Sequence, residues 1–135
     1  VAPNSSDVEQ TGNNETATID QSGAGVNTSE VDQDGSGNTA NVTQISTVGD
    51  ANSSKIEQAV GASGNTATVE QDGEGNTSDV LQEGDLSSVT VTQNGTDNDS
   101  DVDQDSTLAA TIVSQNGNAN TSGVSQTGTA ASVSV

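Results

Sequence analysis

Every glutamine in this chain stands on one lattice. The eleven are Gln10, Gln21, Gln33, Gln44, Gln58, Gln71, Gln82, Gln93, Gln104, Gln115 and Gln126. Their spacings run 11, 12, 11, 14 and 13 residues, then 11 five times. Val or Ile stands two residues before each of them, from Val8 and Ile19 through to Val124. A small or β-branched residue stands four before, Asn commonly six before, and Gly commonly two after. A period of two within a unit selects one face of a β-strand. Gly beyond it suits a turn at positive φ. A disordered chain has no reason to hold Val and Gln in fixed phase, so self-similarity at this period predicts stacked repeats.

The true period is double. The position four before Gln reads Ser6, Ser29, Ser54, Ser78, Ser100 and Ser122 in odd units. In even units it reads Ala17, Ala40, Ala67, Val89 and Thr111, with Val133 in a last unit ending at Val135. The repeat is therefore strand–turn–strand–turn in about 22 residues. The expected fold is all-β, a two-sheet parallel β-solenoid of six coils with cross-β stacking. It forms one domain over 1–135 after a short lead at 1–3, and each strand ends at its Gln. Odd strands lie on odd strands and even on even. Strands of this length span roughly 20 Å, the two sheets lie about 10 Å apart, and coils stack at about 4.8 Å. The distance from the Asn position to Gln never varies, so the extra residues fall in turns, chiefly Ile45–Ala51 and Ala59–Gly64.

The inward columns then hold the Asn, Ser or Ala, Val or Ile, and Gln positions. The eleven Gln, with Asn27, Asn38, Asn52, Asn65, Asn76, Asn98 and Asn120, are candidates for stacking ladders. In such ladders each amide bonds its copy above and below. The outward positions differ between the sheets. Odd strands present Asp7, Glu9, Glu30, Asp32, Asp101 and Asp103; even strands are richer in Thr. Stacked carboxylates about 4.8 Å apart repel by roughly 1 kcal/mol per pair in water. Lys55, the one basic residue, falls between Glu30 and Asp79 in this column. The six acidic residues are the metal-site candidates, for divalent cations held non-specifically; no dedicated cofactor is expected.

Composition excludes several functions. There is no Cys, His, Met or aromatic residue, so thiol chemistry and the usual zinc and catalytic constellations are out. A net charge of −19 with one Lys argues against nucleic acid, which needs a basic footprint. No apolar run approaches membrane-spanning length. Val1-Ala2-Pro3 reads as a mature end left after cleavage. Asn-x-Ser/Thr sequons at Asn27, Asn52, Asn76, Asn98 and Asn120 follow from the repeat phase and point inward. Asp34–Gly37 and Asp72–Gly75 read as acidic turns, since neither completes a calcium-loop pattern. Paired carboxylates such as Asp101 and Asp103 lie on an open face with no pocket to shift a pKa, so no catalysis is expected.

The pattern Val-x-Val-x-Gln-x-Gly-x-x-Asn-x-Ser/Ala-x-Val-x-Gln, as in Ser87–Gln104, resembles the curlin repeat. Val69–Asn76 likewise resembles that family's Gln-x-Gly-x-Gly-Asn turn. The resemblance implies a structural, non-enzymatic subunit of curli, the extracellular functional amyloid of bacterial biofilms. It also implies head-to-tail self-association, a nucleator subunit and a secretion pore as partners. The aromatic residues common in curlin turns are missing here, and the N-terminal segment that curlins show to their pore is reduced to Val1-Ala2-Pro3. The edges expected to meet are Ser6, Val8 and Ile19 at one end and Val133 and Val135 at the other, with their backbone groups unpaired. Two alternatives remain: an ice-binding solenoid using the Thr columns, which Asp20, Asn41, Glu70 and Ile112 interrupt, or a calcium-binding acidic solenoid.

Overall fold

A computed structural model describes residues 3–47 and 49–135. Val1, Ala2 and Val48 lie outside the described residues, and with them most of the expected lead and one position of the Ile45–Ala51 turn. The alternating pattern of each unit yields a strand. In chain order these are β1 (Ser5–Gln10), β2 (Thr16–Gly23), β3 (Thr28–Ser36), β4 (Thr39–Ser46), β5 (Ser53–Ser63) and β6 (Thr66–Glu74). They continue as β7 (Thr77–Gln82), β8 (Ser88–Thr96), β9 (Asp99–Thr107), β10 (Ala110–Asn118), β11 (Thr121–Thr129) and β12 (Ser132–Ser134). No helix occurs among the described residues.

Odd strands form one sheet in the order β1-β3-β5-β7-β9-β11, and even strands form the other, from β2 to β12. Every pairing is parallel and sets like on like: Val8 on Val31, Gln10 on Gln33, Ala17 on Ala40. The result is the expected six-coil parallel β-solenoid. A one-residue slip would turn every Val to solvent, so the period-two pattern fixes this register. The residues added after Gln58 are absorbed as a bulge: Gln33 faces Gln58, but Gly35 faces Ala62. Val60, on that bulge, is 80% exposed.

The strands do not all end at Gln. Only β1 and β7 do; β12 holds no Gln, and the other nine run on by two to five residues. The physical reason is that neighbouring turns are themselves in register, as in Asn94 with Asn116 and Gly95 with Gly117, so the parallel ladder continues around the corner. Gly73 and Gly95 sit in that corner at φ 133° and 122°. A Cβ on Gly95 would also run into the Gly117 carbonyl. Not every such Gly serves φ: Gly12 and Gly84 lack positive φ, but a Cβ there would strike the carbonyls of Gly35 and Ser106. The left-handed positions fall farther along the turns and include Leu86 (φ 54°), Leu108 (φ 58°) and Ala130 (φ 54°).

The core between the sheets is thin. Val31, Val42, Ile56, Val69, Val80, Val91, Val102 and Val113 are buried along its axis. Burying each is worth roughly 1.5–3 kcal/mol. The Gln column is buried with them from Gln33 to Gln126. A core this polar holds only if its amides are paired.

Candidate functional site: amide ladders and axial faces

The Gln positions form two ladders. In the odd sheet, Gln10 Nε2 donates to Gln33 Oε1 at 2.7 Å, and the chain of donors runs through Gln58, Gln82 and Gln104 to Gln126. In the even sheet it runs Gln21, Gln44, Gln71, Gln93, Gln115 at 2.7–2.8 Å. Every bond points the same way, from the N-terminal coil towards the C-terminal one. The second N–H of the amide is also used. It crosses to the other sheet and donates to a carbonyl of the preceding strand, as in Gln33 to Thr16 (3.0 Å), Gln71 to Ser53 (3.0 Å) and Gln93 to Thr77 (2.8 Å). One side chain thus ties three strands together.

The Asn positions behave differently from the expected amide-on-amide stack. Their constant feature is a bond to backbone: each Oδ1 accepts the backbone N–H of the residue one coil on. Asn4 serves Asn27, Asn27 serves Asn52, and so on to Asn98 serving Asn120, at 2.9–3.2 Å. Direct side-chain contact is confined to Asn52, Asn76, Asn98 and Asn120. Asn38 and Asn65 send their amides to the carbonyls of Ala62 and Gly84 instead. The Asn Oδ1 thus caps the strand start one coil on. This column includes residues the repeat reading did not single out. Glu15 Oε2 accepts the Asn38 N–H at 2.7 Å, and Ser87 Oγ accepts the Ala109 N–H at 3.2 Å. Their place, six residues before a Gln, was the available signal.

Between these columns runs a file of Ser hydroxyls. Ser29, Ser54, Ser78, Ser100 and Ser122 stack in register, and all are buried. None of the five Oγ atoms has a hydrogen-bond partner among the described protein groups.

The outward columns of the odd sheet run Asp7, Glu30, Lys55, Asp79, Asp101, Gly123 and Glu9, Asp32, Glu57, Leu81, Asp103, Ser125. Lys55 Nζ pairs with Glu57 at 3.1 Å. That hydrogen bond and charge raise the Lys55 pKa, with Asp79 and Glu30 adding to the effect. The Asp79 carboxyl is pushed up mainly by desolvation among its neighbours; Lys55 opposes this, and Asp101 adds to it. The six acidic candidates thus lie spread along two open columns. Among the described residues no three His, Cys, Asp or Glu side chains gather to hold a metal ion.

At the two axial faces, the sites expected to meet are placed as follows. Val8 is 43% exposed and Ser6 is exposed with it, while Ile19 is partly covered by the core. At the other end Val133 packs on the core and Val135 is 55% exposed. The free backbone groups are not those of Val133 and Val135. Val135 donates to Ile112 and accepts from Ser114, so it faces β10. In a parallel ladder successive residues point to opposite sides, and the free groups of β12 belong to Ser132 and Ser134. By the same parity, Asn120 accepts from Asp99, which leaves Thr121, Gly123 and Ser125 of β11 free. Ser5 donates to Asn27, which leaves Ser6, Val8 and Gln10 of β1 free. The odd ladder ends on the same two faces. Gln126 is 4% exposed, and its Nε2 has no partner among the described residues.

This geometry is a stack of near-identical polar-laddered coils. Residues 62–95 match the Curlin associated repeat. The matched stretch runs from the end of β5 into β8 and contains Gln71, Gln82 and Gln93 with their ladder bonds. Curlin proteins are structural, extracellular components of curli, and this repeat marks the chain as similar to a curli-like structural subunit. The coils on either side copy the register of this stretch. No curated protein and no solved structure matches the chain.

Proposed function

We propose that this chain is a structural subunit that polymerises head to tail into extracellular, curli-like amyloid fibres and so serves as a biofilm scaffold. One observation carries the reading. Among the described residues, the odd Gln ladder ends in a buried, unpartnered donor at Gln126 Nε2, and the opposite face presents Gln10, whose side chain donates to Gln33 and accepts no bond. Leaving a buried amide unpaired costs roughly 1–3 kcal/mol. A second copy stacked in the register of β1 on β3 sets its Gln10 over Gln126, its Val8 over Val124 and its Ser6 over Ser122. The free backbone groups match as well, since those of β11 alternate with those of β1. Two different faces that fit head to tail, with no ring closure, propagate a filament.

The test uses proline. Pro is tolerated on an edge strand where its missing N–H faced solvent. Ser125→Pro with Ser134→Pro removes two free donors from the C-terminal face and leaves β11 and β12 paired to their own sheets. Fibre growth followed by thioflavin fluorescence and electron microscopy should stop, while the soluble protein keeps its β-sheet circular dichroism. Wild-type protein giving no fibres with a 4.8 Å axial repeat, or a double variant elongating at the wild-type rate, refutes the reading.

A further inference from the structure

The acidic charge of this protein is not spread over the whole solenoid. The first coil carries Asp7, Glu9, Glu15 and Asp20, and the fifth carries Asp99, Asp101, Asp103 and Asp105. Residues 106–135 carry no Asp, Glu, Lys or Arg at all. The break is sharp in the outward columns, where Asp101 and Asp103 give way to Gly123 and Ser125 one coil later. These are outward positions, so core packing does not require small neutral residues there; every earlier coil keeps at least one carboxylate in the same two columns.

Building on the fibre reading above, we propose that the uncharged coil 106–135 is a charge gap that sets the polarity of joining. It is the surface that accepts the acidic N-terminal face of a second copy. In the register of β1 on β3, the incoming Asp7 lands on Gly123 and the incoming Glu9 on Ser125. The nearest carboxylates of the same columns, Asp101 and Asp103, then lie two coils away, at about 9.6 Å from the 4.8 Å coil spacing. That is near the Debye length at physiological ionic strength, so their repulsion is largely screened. The competing arrangements are disfavoured. Two N-terminal faces bring Asp7 and Glu9 of both copies together. Two C-terminal faces carry no side-chain charge, but each offers Gln126 Nε2, a donor, to another donor. Head to tail is the one arrangement free of both conflicts.

The experiment restores the missing charges. Gly123→Asp/Ser125→Asp continues both columns to the C-terminal face. Gly123→Asn/Ser125→Asn matches it in size without charge, and Leu81→Asp adds a charge to the same column inside the chain. Elongation of wild-type seeds is measured for each as soluble protein, at 10 mM and 1 M NaCl. The Asp pair should slow elongation roughly 30-fold at low salt, from two like-charge contacts one coil apart in water, and recover at high salt. The Asn pair and Leu81→Asp should elongate within about threefold of wild type at both, since neither places new charge on the axial face. An Asp pair as fast as wild type at low salt overturns the proposal, as does slowing that salt leaves unchanged or that the Asn pair shares. Wild-type protein that forms no fibres refutes the fibre reading itself; wild-type fibres with an indifferent Asp pair refute only the charge gap.

Discussion

Consider cutting the even ladder at adjacent rungs. Gln71 accepts from Gln44 at 2.8 Å and donates to Gln93 at 2.8 Å; Gln93 donates in turn to Gln115 at 2.8 Å. All four amides are buried. Gln71→Leu leaves one N–H of Gln44 and the Oε1 of Gln93 unpaired. At roughly 1–3 kcal/mol for each buried orphan the loss is about 2–6 kcal/mol. The added apolar burial of Leu returns about 1.5–3 kcal/mol of it, so the net cost centres near 2 kcal/mol and does not exceed about 4.5 kcal/mol. Gln93→Leu alone costs the same, by orphaning Gln71 and Gln115. In the double variant the two Leu pack on each other. The orphans are then one N–H of Gln44 and the Oε1 of Gln115, no more than in either single. The double variant should therefore be no less stable than each single. Guanidinium unfolding at concentrations too low for fibre growth, followed by far-ultraviolet circular dichroism, measures all four corners of the cycle. A double variant destabilised by the sum of the singles would show that the amides act independently, and the ladder argument would fail.

Three further outcomes follow from the site geometry. The Asp79 carboxyl titrates above its ordinary value of 3.8 because desolvation disfavours its charge, so the folded chain holds that proton more tightly than the unfolded one. Stability from this group is present at low pH and lost as pH rises through the raised folded value; acidification towards pH about 4 should stabilise the wild type, and Asp79→Asn should remove part of that gain, with superimposable pH profiles counting against it. Ser78→Ala removes a buried hydroxyl that has no protein partner, and it should raise the unfolding midpoint by the equivalent of about 1 kcal/mol; a lowered midpoint would show that the hydroxyl is satisfied in solution. Leu108→Gly relieves a bulky residue held at φ 58° and 56% exposed, where left-handed backbone costs roughly 1–2 kcal/mol; thermal unfolding should shift upward, and a downward shift would mean that the exposed side chain contributes more than its backbone costs.

The sequence by itself determined the phase of this protein. Val and Gln two residues apart, repeated on a lattice, decide which side chains face inward, and alternation of Ser with Ala decides that coils stack in two separate sheets. A strand has a side-chain period of two, so one misplaced residue would expose the whole inward set; that is why the fold, the strand pairing and the Gln columns were legible. What the repeat could not convey is direction and stagger. Both amide ends of Gln71 look alike in sequence, yet only the packed coils make each Gln from Gln21 to Gln104 donate towards the C-terminus and send its second N–H across to the other sheet. Packing of the turns brings the side-chain amides of Asn38 and Asn65 to backbone carbonyls rather than to each other's side chains, while Glu15 and Ser87 accept a backbone N–H from the next coil as Asn38 does from Asn65. The parity of the edge is likewise tertiary. Whether Val133 or Ser134 presents its backbone to solvent depends on which residues β12 has already given to β10, and alternation of side chains says nothing about it. A repeating sequence specifies what is copied from coil to coil; hydrogen-bond direction is set by how one copy lands on the next.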